Sequence, residues 1–319
     1  MSSKIPELSI VIPVYNEIQT IKRVLSSIQN SRYKRKEVIF VDGMSDDGTF
    51  EWLENAVENI PDFYIEKNEK QYVSFGFNSI FPKTKGKYVS RVDGHSVYPS
   101  GYFEKAIEIL KRDDADVVGG PAKHVGKTWK GEAIARCMMH PFGVGQSSFR
   151  TERVKKYVDT VPFPIYKRSV FEDVGLYDED LVRNQDDELN YRCRKKGYRI
   201  LMDPDLETEY FVRENLGDLW YQYFQYGLYK PMVFKKVPTG SRLYHFVPAI
   251  FTFLLPLVLG LGLWHRIFII PLAIYLILLI IISSSTKGSL RQKLYSLLVF
   301  PCLHIGYGLG FIIGLFKKY

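Results

Sequence analysis

The chain has 319 residues, a formal net charge of +8, 46% hydrophobic residues and 15% aromatics. This composition excludes disorder and leaves room for one large domain or two smaller units. Cys137, Cys193 and Cys302 form no CxxC pair, so neither a disulfide scaffold nor a cysteine zinc site is expected, and a reducing compartment is favoured.

The basic surplus is dispersed, in runs such as Lys34-Arg35-Lys36 and Arg194-Lys195-Lys196, without zinc-finger, RNP or helix-turn-helix spacing. Solvated faces and membrane-adjacent residues are expected, and no nucleic-acid partner. Met1–Leu8 is polar and lacks the apolar stretch of a signal peptide, so the N-terminal body is expected in the cytoplasm.

Residues 8–14 (LSIVIPV) read as a buried strand: short, apolar and β-branched. Asn16 and Glu17 lie at its carboxyl end. Ile18, Ile21, Val24, Leu25 and Ile28 then follow a helical period. Lys36–Val41 is a second strand, ending in Asp42-Gly43-Met44-Ser45-Asp46-Asp47-Gly48-Thr49, with a helix from Thr49. Tyr64–Glu66 is a third strand, and Lys87–Val92 a fourth, ending in Asp93-Gly94-His95. Strands alternating with helices predict an α/β fold with a mostly parallel sheet and helices on both faces. Ligands bind such sheets beyond the carboxyl ends of the strands. Asn16-Glu17, Asp42 and Asp93–His95 all fall there, and this coincidence is the main argument for a site.

Further along, the Gly143-Val144-Gly145 loop and Pro164–Asp180 look like one side of a pocket. Asn184–Asn190 is dense in acids and opens a helix that ends in bases, an arrangement that suits the helix dipole. One of these carboxylates is a candidate general base. Tyr221–Gly227 is aromatic and amphipathic; an interfacial helix over about 216–235 and an acceptor-site lid are both open readings.

From Phe246 the composition changes. Phe246–Trp264 carries no charge over 19 residues, and Ile267–Ile282 none, with an extension through Ser283–Ser285. Leu294–Phe316 holds His304 as its only ionisable group other than Tyr and Cys. A bilayer core of about 30 Å needs roughly 20 apolar helical residues. The expected organisation is a body over 1–245 and a membrane region over 246–319 with about three segments. Lys235, Lys236 and Arg242, and later Lys287, Arg291 and Lys293, would be cytoplasmic if the first two segments turn at His265-Arg266. Lys317 and Lys318 then fall outside, against the rule, unless the third segment is re-entrant or interfacial. A multi-pass cell-membrane protein in contact with lipid is expected.

Asp93 and His95 supply a carboxylate and an imidazole two residues apart. On an extended segment both point the same way and can address one cation. A Mg²⁺ or Mn²⁺ that bridges phosphates needs few protein ligands, and an imidazole suits Mn²⁺ better. A turn with a capping Asp is the alternative. Asp42 can accept hydrogen bonds from a base or ribose, while Asp46 and Asp47 read as turn and cap residues. His124, His140 and His245 read as surface or packing residues.

Ser9–Glu17 (SIVIPVYNE), Asp42–Thr49 (DGMSDDGT), Asp93–His95 (DGH) and Gln185–Leu189 (QDDEL) resemble, in order and spacing, the inverting family 2 glycosyltransferases of GT-A fold. The resemblance covers roughly residues 8–245. A closer resemblance, to succinoglycan-type exopolysaccharide glycosyltransferases, rests on Arg91–Tyr98 (RVDGHSVY), Val118–Pro121 (VGGP), Pro141–Gly145 (PFGVG), Val158–Val161 (VDTV) and Arg183–Arg192 (RNQDDELNYR).

The resemblance implies a donor site of Pro13, Tyr15, Glu17, Asp42, Arg91 and Asp93, with Asp42 at the nucleotide base. It implies a divalent metal at Asp93 and His95, His95 standing where the family has a second Asp. Asp186 matches the Asp of the family's ED motif and would be the general base; Gln185 replaces the Glu. Gly143, Gly145, Gln222, Gln225 and Tyr226 fall to the acceptor or interface side. Gln222, Gln225 and Tyr226 resemble a QxxRW motif in which Gln225 replaces Arg, which favours transfer of a single sugar over processive synthesis. The implied partners are a nucleotide-diphosphate sugar, UDP-linked by preference, and a polyprenyl-linked glycan. Two other readings are a polyprenyl-phosphate glycosyltransferase and a non-catalytic partner in a polysaccharide assembly complex.

Overall fold

A computed structural model describes residues 5–317. In chain order the elements are β1 (Leu8–Val14), α1 (Ile21–Gln29), β2 (Lys36–Asp42), α2 (Thr49–Val57), β3 (Phe63–Lys67), α3 (Val73–Ile80), β4 (Tyr88–Arg91), β5 (Ser96–Val97), α4 (Tyr102–Lys111), β6 (Val117–Gly119) and β7 (Ala122–Val125). Then come α5 (Trp129–Met138), α6 (Pro141–Val144), α7 (Ser148–Thr151), β8 (Lys156–Tyr157), β9 (Ile165–Lys167), α8 (Arg168–Val174), α9 (Gln185–Lys195), β10 (Ile200–Met202) and β11 (Thr208–Phe211). Four helices close the chain: α10 (Leu216–Lys236), α11 (Leu243–Trp264), α12 (Ile270–Ser285) and α13 (Leu290–Phe316).

Two compact units result. Among the described residues, one comprises 5–123 and 152–210, the other 124–151 and 211–317. The change of composition at Phe246 lies inside the second unit.

The first unit is built on an eight-stranded sheet in the order β3-β2-β1-β4-β9-β6-β10-β8. It is mixed. The β1–β2, β1–β4, β2–β3 and β6–β10 pairs are parallel; β4–β9, β6–β9 and β8–β10 are antiparallel. Every residue of β2 and all but Pro13 of β1 are buried, and their apolar stretches, Ile10–Ile12 and Val38–Val41, are what the sequence shows of this. Ile21, Val24, Leu25 and Ile28 form the buried stripe of α1 and join Leu8, Ile10, Ile12 and Val14 in the core. The helical period at Ile18 starts too early. The N–H groups of Thr20 and Ile21 both donate to the Glu17 carbonyl, forming a turn that delays α1 to Ile21.

In the second unit, α11, the 20 residues from Arg266 to Ser285, and α13 are each long and apolar enough to cross a membrane. The last helix begins at Leu290, before the uncharged run. Ser289 and Gln292 form a capping box there, with the Ser289 N–H donating to Gln292 Oε1 at 2.8 Å. Helices α10 and α13 approach backbone to backbone. A methyl group on Gly227 would lie 2.1 Å from the Tyr307 carbonyl oxygen, one on Gly310 2.1 Å from that of Phe224, and one on Gly314 2.2 Å from that of Leu228.

Candidate active site

Parallel pairing fixes which residues share the carboxyl edge of the sheet. Val14 is in register with Asp42, Asp42 with Lys67, and Val11 with Arg91. The loops beyond these strands are tied by side chain to backbone bonds. Asn16 adopts a left-handed conformation, φ +53°, which Asn tolerates. Its amide group donates to Asp46 Oδ1 at 2.8 Å, and its Oδ1 accepts from the Asp46 N–H at 3.0 Å. The N–H groups of Asn16 and Glu17 donate to Ser45 Oγ and Thr49 Oγ1, both at 2.9 Å. Asp47 accepts from Ile18 N–H at 3.2 Å and from Thr49 N–H at 3.0 Å. Asp46 and Asp47 thus serve the turn before α2.

Asp42 is 1% exposed. Its Oδ2 accepts from the Ser45 N–H at 2.9 Å, while Oδ1 has no hydrogen-bond partner among the described residues. A buried carboxylate oxygen left so is costly in a closed protein and fits a donor group on a ligand. Pro13 is half-buried and Tyr15 exposed on the same strand end.

The third cluster departs from the extended geometry expected of it. The last rung of β4 is the Val92 N–H to the Val11 carbonyl. The chain then turns, and the Ser96 N–H donates to the Asp93 carbonyl at 3.2 Å. Asp93 and His95 therefore do not point together as residues i and i+2 of a strand. Asp93 Oδ1 faces Arg91 Nη2 at 3.4 Å, and His95 Nδ1 lies 2.9 Å from Glu17 Oε1. Glu17 Oε2 also accepts from Thr20 Oγ1 at 2.5 Å, and Thr20 Oγ1 donates to the Gly94 carbonyl at 3.0 Å. Glu17 thus joins the first strand end to the fourth.

The acidic segment enters from α9, whose N-cap Asn184 is left-handed, φ +61°. Glu188 is engaged by Arg192, Nε to Oε1 at 2.6 Å and Nη2 to Oε2 at 2.8 Å. Asp186 instead lies with Oδ2 4.0 Å from Arg91 Nη2. Its side chain is 39% exposed. The protein packed around this partly open carboxyl costs it hydration and raises it above its ordinary value; Asp187 adds to that, and Arg91 opposes it. Beneath Arg91 lies Tyr177, its ring centroid 5.3 Å from the guanidinium carbon. Burial pushes the Tyr177 phenol up to about 12, so it stays protonated at neutral pH. Tyr177 carries no motif signal in the sequence.

The first unit therefore brings Pro13, Tyr15, Glu17, Asp42, Arg91, Asp93, His95 and Asp186 to one edge of one sheet. The other expected residues belong to the second unit. Gly143 lies in α6 and Gly145, φ +65°, caps it. A methyl on Gly143 would lie 2.3 Å from the Cys137 carbonyl oxygen. On α10, Gln222 Nε2 donates to the Tyr226 hydroxyl at 3.2 Å, and Gln225 is half-buried one turn below Tyr221.

No three His, Cys, Asp or Glu side chains gather around one point among the described residues. One carboxylate and one imidazole make a partial donor set. The turn sends the two toward different partners, Arg91 and Glu17, so a cation here would take most of its ligands from diphosphate oxygens and water.

The description Glycosyl transferase family 2 matches residues 9–175, which is 167 of 319 residues. The chain belongs to this family. This glycosyltransferase is 32% identical over 221 residues to the succinoglycan biosynthesis protein ExoA of Rhizobium meliloti (68% of this chain, 67% of the relative). It is 27% identical over 321 residues to a dolichyl N-acetyl-α-D-glucosaminyl phosphate 3-β-D-2,3-diacetamido-2,3-dideoxy-β-D-glucuronosyltransferase of Methanococcus voltae (97% of each chain). Among solved structures, the mannosyltransferase PcManGT of Pyrobaculum calidifontis, in complex with GDP-Man and Mn²⁺, superposes with a TM-score of 0.66. It is 15% identical, and the match covers 97% of this chain and 88% of that one. The GT-A fold expected from the motifs is the fold observed.

Proposed function

We propose that this glycosyltransferase moves a single sugar from a nucleotide-diphosphate sugar, a UDP-sugar by preference, to a hydroxyl of a polyprenyl-linked glycan, with inversion. The observation that carries the reading is the convergence of Asp93 and Asp186 on one buried guanidinium at the carboxyl edge of the sheet. Similarity over 97% of its length to an enzyme named for a dolichyl-phosphate-linked acceptor supports a lipid-linked glycan.

In this reading Asp42, Pro13 and Tyr15 receive the nucleotide. Asp93 and His95 are the residues that would hold a divalent cation, which when bound neutralises charge on the departing diphosphate. Glu17 fixes the His95 ring through Nδ1. Asp186 accepts the proton of the acceptor hydroxyl as its oxygen bonds to the anomeric carbon. The bond to the diphosphate breaks on the opposite face, and the nucleoside diphosphate leaves with that electron pair. A base with a raised pKa suits this task, because it holds a proton more tightly than an ordinary carboxylate. The three apolar helices would hold the protein at the membrane that carries the acceptor, with the catalytic unit on the cytoplasmic side.

The test is nucleotide release by the detergent-solubilised chain. UDP-, GDP- and dTDP-sugars are each supplied with Mn²⁺, Mg²⁺ or EDTA, with a short polyprenyl-diphosphate-sugar or polyprenyl phosphate. Release from one donor, abolished by EDTA and increased by the lipid-linked sugar, is expected. Release increased only by polyprenyl phosphate would replace the acceptor, and binding without release under every condition would remove the catalytic reading.

A further inference from the structure

Arg91 is the charged group on which the site closes, and its surroundings are unusual for a guanidinium. Its side chain is 8% exposed. One nitrogen, Nη2, faces both acids, 3.4 Å from Asp93 Oδ1 and 4.0 Å from Asp186 Oδ2. Both distances exceed the roughly 2.7–2.9 Å of a charge-assisted hydrogen bond, so the cation attracts both carboxylates and is bonded to neither. Nε and Nη1 are buried and have no hydrogen-bond partner among the described residues. The face of Tyr177 also lies near it, the ring centroid 5.3 Å from the guanidinium carbon.

A residue kept for packing against Tyr177 would need no charge. A neutral side chain of that length would avoid burying charged N–H groups without partners, which is strongly unfavourable. A guanidinium is repaid here only by serving the two carboxylates. They need it for opposite reasons. Asp93 needs its position held at a turn, where no strand rung fixes it. Asp186 needs its negative charge supported, since burial and Asp187 both disfavour that charge. The two N–H groups of Nη2 diverge in a fixed plane, so this one nitrogen can face both oxygens, which the freely rotating ammonium of a lysine does not do.

We infer that Arg91 is a positioning residue that couples the base to the donor side of the site. It holds Asp93 and Asp186 at a fixed spacing around one buried cation. This role replaces the donor contact that the family resemblance implies for Arg91. This rests on the reading of Asp186 as the base.

The experiment uses the full chain in detergent and two readouts, direct binding of the nucleotide sugar and turnover. Arg91→Ala, Arg91→Lys and Asp186→Asn are compared with and without added guanidinium chloride at a concentration the wild type tolerates. For Arg91→Ala we expect donor affinity close to wild type and turnover lower by about 100-fold or more, the scale of losing a positioned base. Guanidinium ion should restore part of that turnover and none in Asp186→Asn. Arg91→Lys, with charge but no fork, should fall between. Donor affinity and turnover falling together would make Arg91 a donor ligand and overturn the inference, as would turnover unchanged in Arg91→Ala. A donor-binding Arg91→Ala or Arg91→Lys that is inert and gains nothing from guanidinium would overturn it too. Turnover retained in Asp186→Asn would instead remove the base, and with it this coupling. Asp186→Asn inert beside a fully active Arg91→Ala removes the coupling alone.

Discussion

The carboxyl edge of the large sheet and the packed helices of the second unit are organised by opposite means. At the sheet edge, each loop is held by added polar atoms: Asn16 with Asp46, Glu17 with His95, Arg91 near Asp93 and Asp186. In the second unit, α10 and α13 meet by subtraction, with Gly227, Gly310 and Gly314 bringing carbonyl oxygens close to where a side chain would start. The first arrangement is sensitive to charge and hydrogen-bonding capacity. The second is sensitive to volume. A substitution that is mild in one region is severe in the other, and each test below exploits that contrast.

The largest expected effect is an isosteric one at the sheet edge. Asp186→Asn changes volume hardly at all and should lower turnover by about 100- to 10,000-fold while nucleotide binding persists, as seen by turnover and binding assays on one preparation. Next is a change of volume with no change of charge. Gly310→Leu must part α10 from α13 and should cost at least about 1–3 kcal/mol, read as a lower melting temperature in detergent. A large change of volume at exposed Tyr15 of the sheet edge, Tyr15→Ala, should leave that temperature nearly unchanged and so sharpens the contrast.

A smaller effect is expected at Asn16. Asn16→Gly keeps the left-handed backbone but loses both amide bonds to Asp46, each worth about 0.5–1.5 kcal/mol. Asn16→Ala loses the bonds and also strains the backbone, so it should be the less stable of the two. Thermal melts rank them, and the donor KM should rise in both.

The smallest effect is a shift in pH. The Asp186 carboxyl is held above its ordinary value, first by burial and then by Asp187. The base works only when ionised, so turnover falls as pH drops through that raised value. Asp187→Asn removes one cause and should move the acid limb to lower pH, measured as turnover against pH. Stability carries the opposite sign. The stabilisation linked to protonated Asp186 is complete below its unfolded pKa and is lost as pH rises through the folded one.

Much of the sheet edge is legible in the sequence because its strands are short apolar runs cut off by polar turns. Asp42 closes β2 as its motif suggests, and Thr49 opens α2. What the sequence withholds is long-range pairing. Nothing near Arg91 in the chain signals Tyr177 or Asp186, and within Gln185–Glu188 only the motif resemblance picks out Asp186, whereas the structure shows Arg192 engaging Glu188. At Asp93–Ser96 the sequence leaves an extended segment and a turn both open, and the choice falls to long-range pairing, since the end of β4 is set by its rung to β1. In the apolar region, composition marks the helices well. It does not mark their partners, because uncharged residues satisfy a bilayer and a neighbouring helix equally.

The allocation of residues 124–151 to the second unit has a consequence for how the protein is made. That stretch leaves the ribosome amid the strands of the sheet, yet its anchors come much later. The Lys127 and Thr128 N–H groups await Glu214, and Glu132 awaits Gln292, 160 residues downstream. Contacts of such sequence separation are slow to close, so these bonds of α5 form only after Glu214 and Gln292 have been made. The last helix to emerge completes a part of the molecule begun in the middle, and a chain stopped before α13 would leave that early segment without its partner.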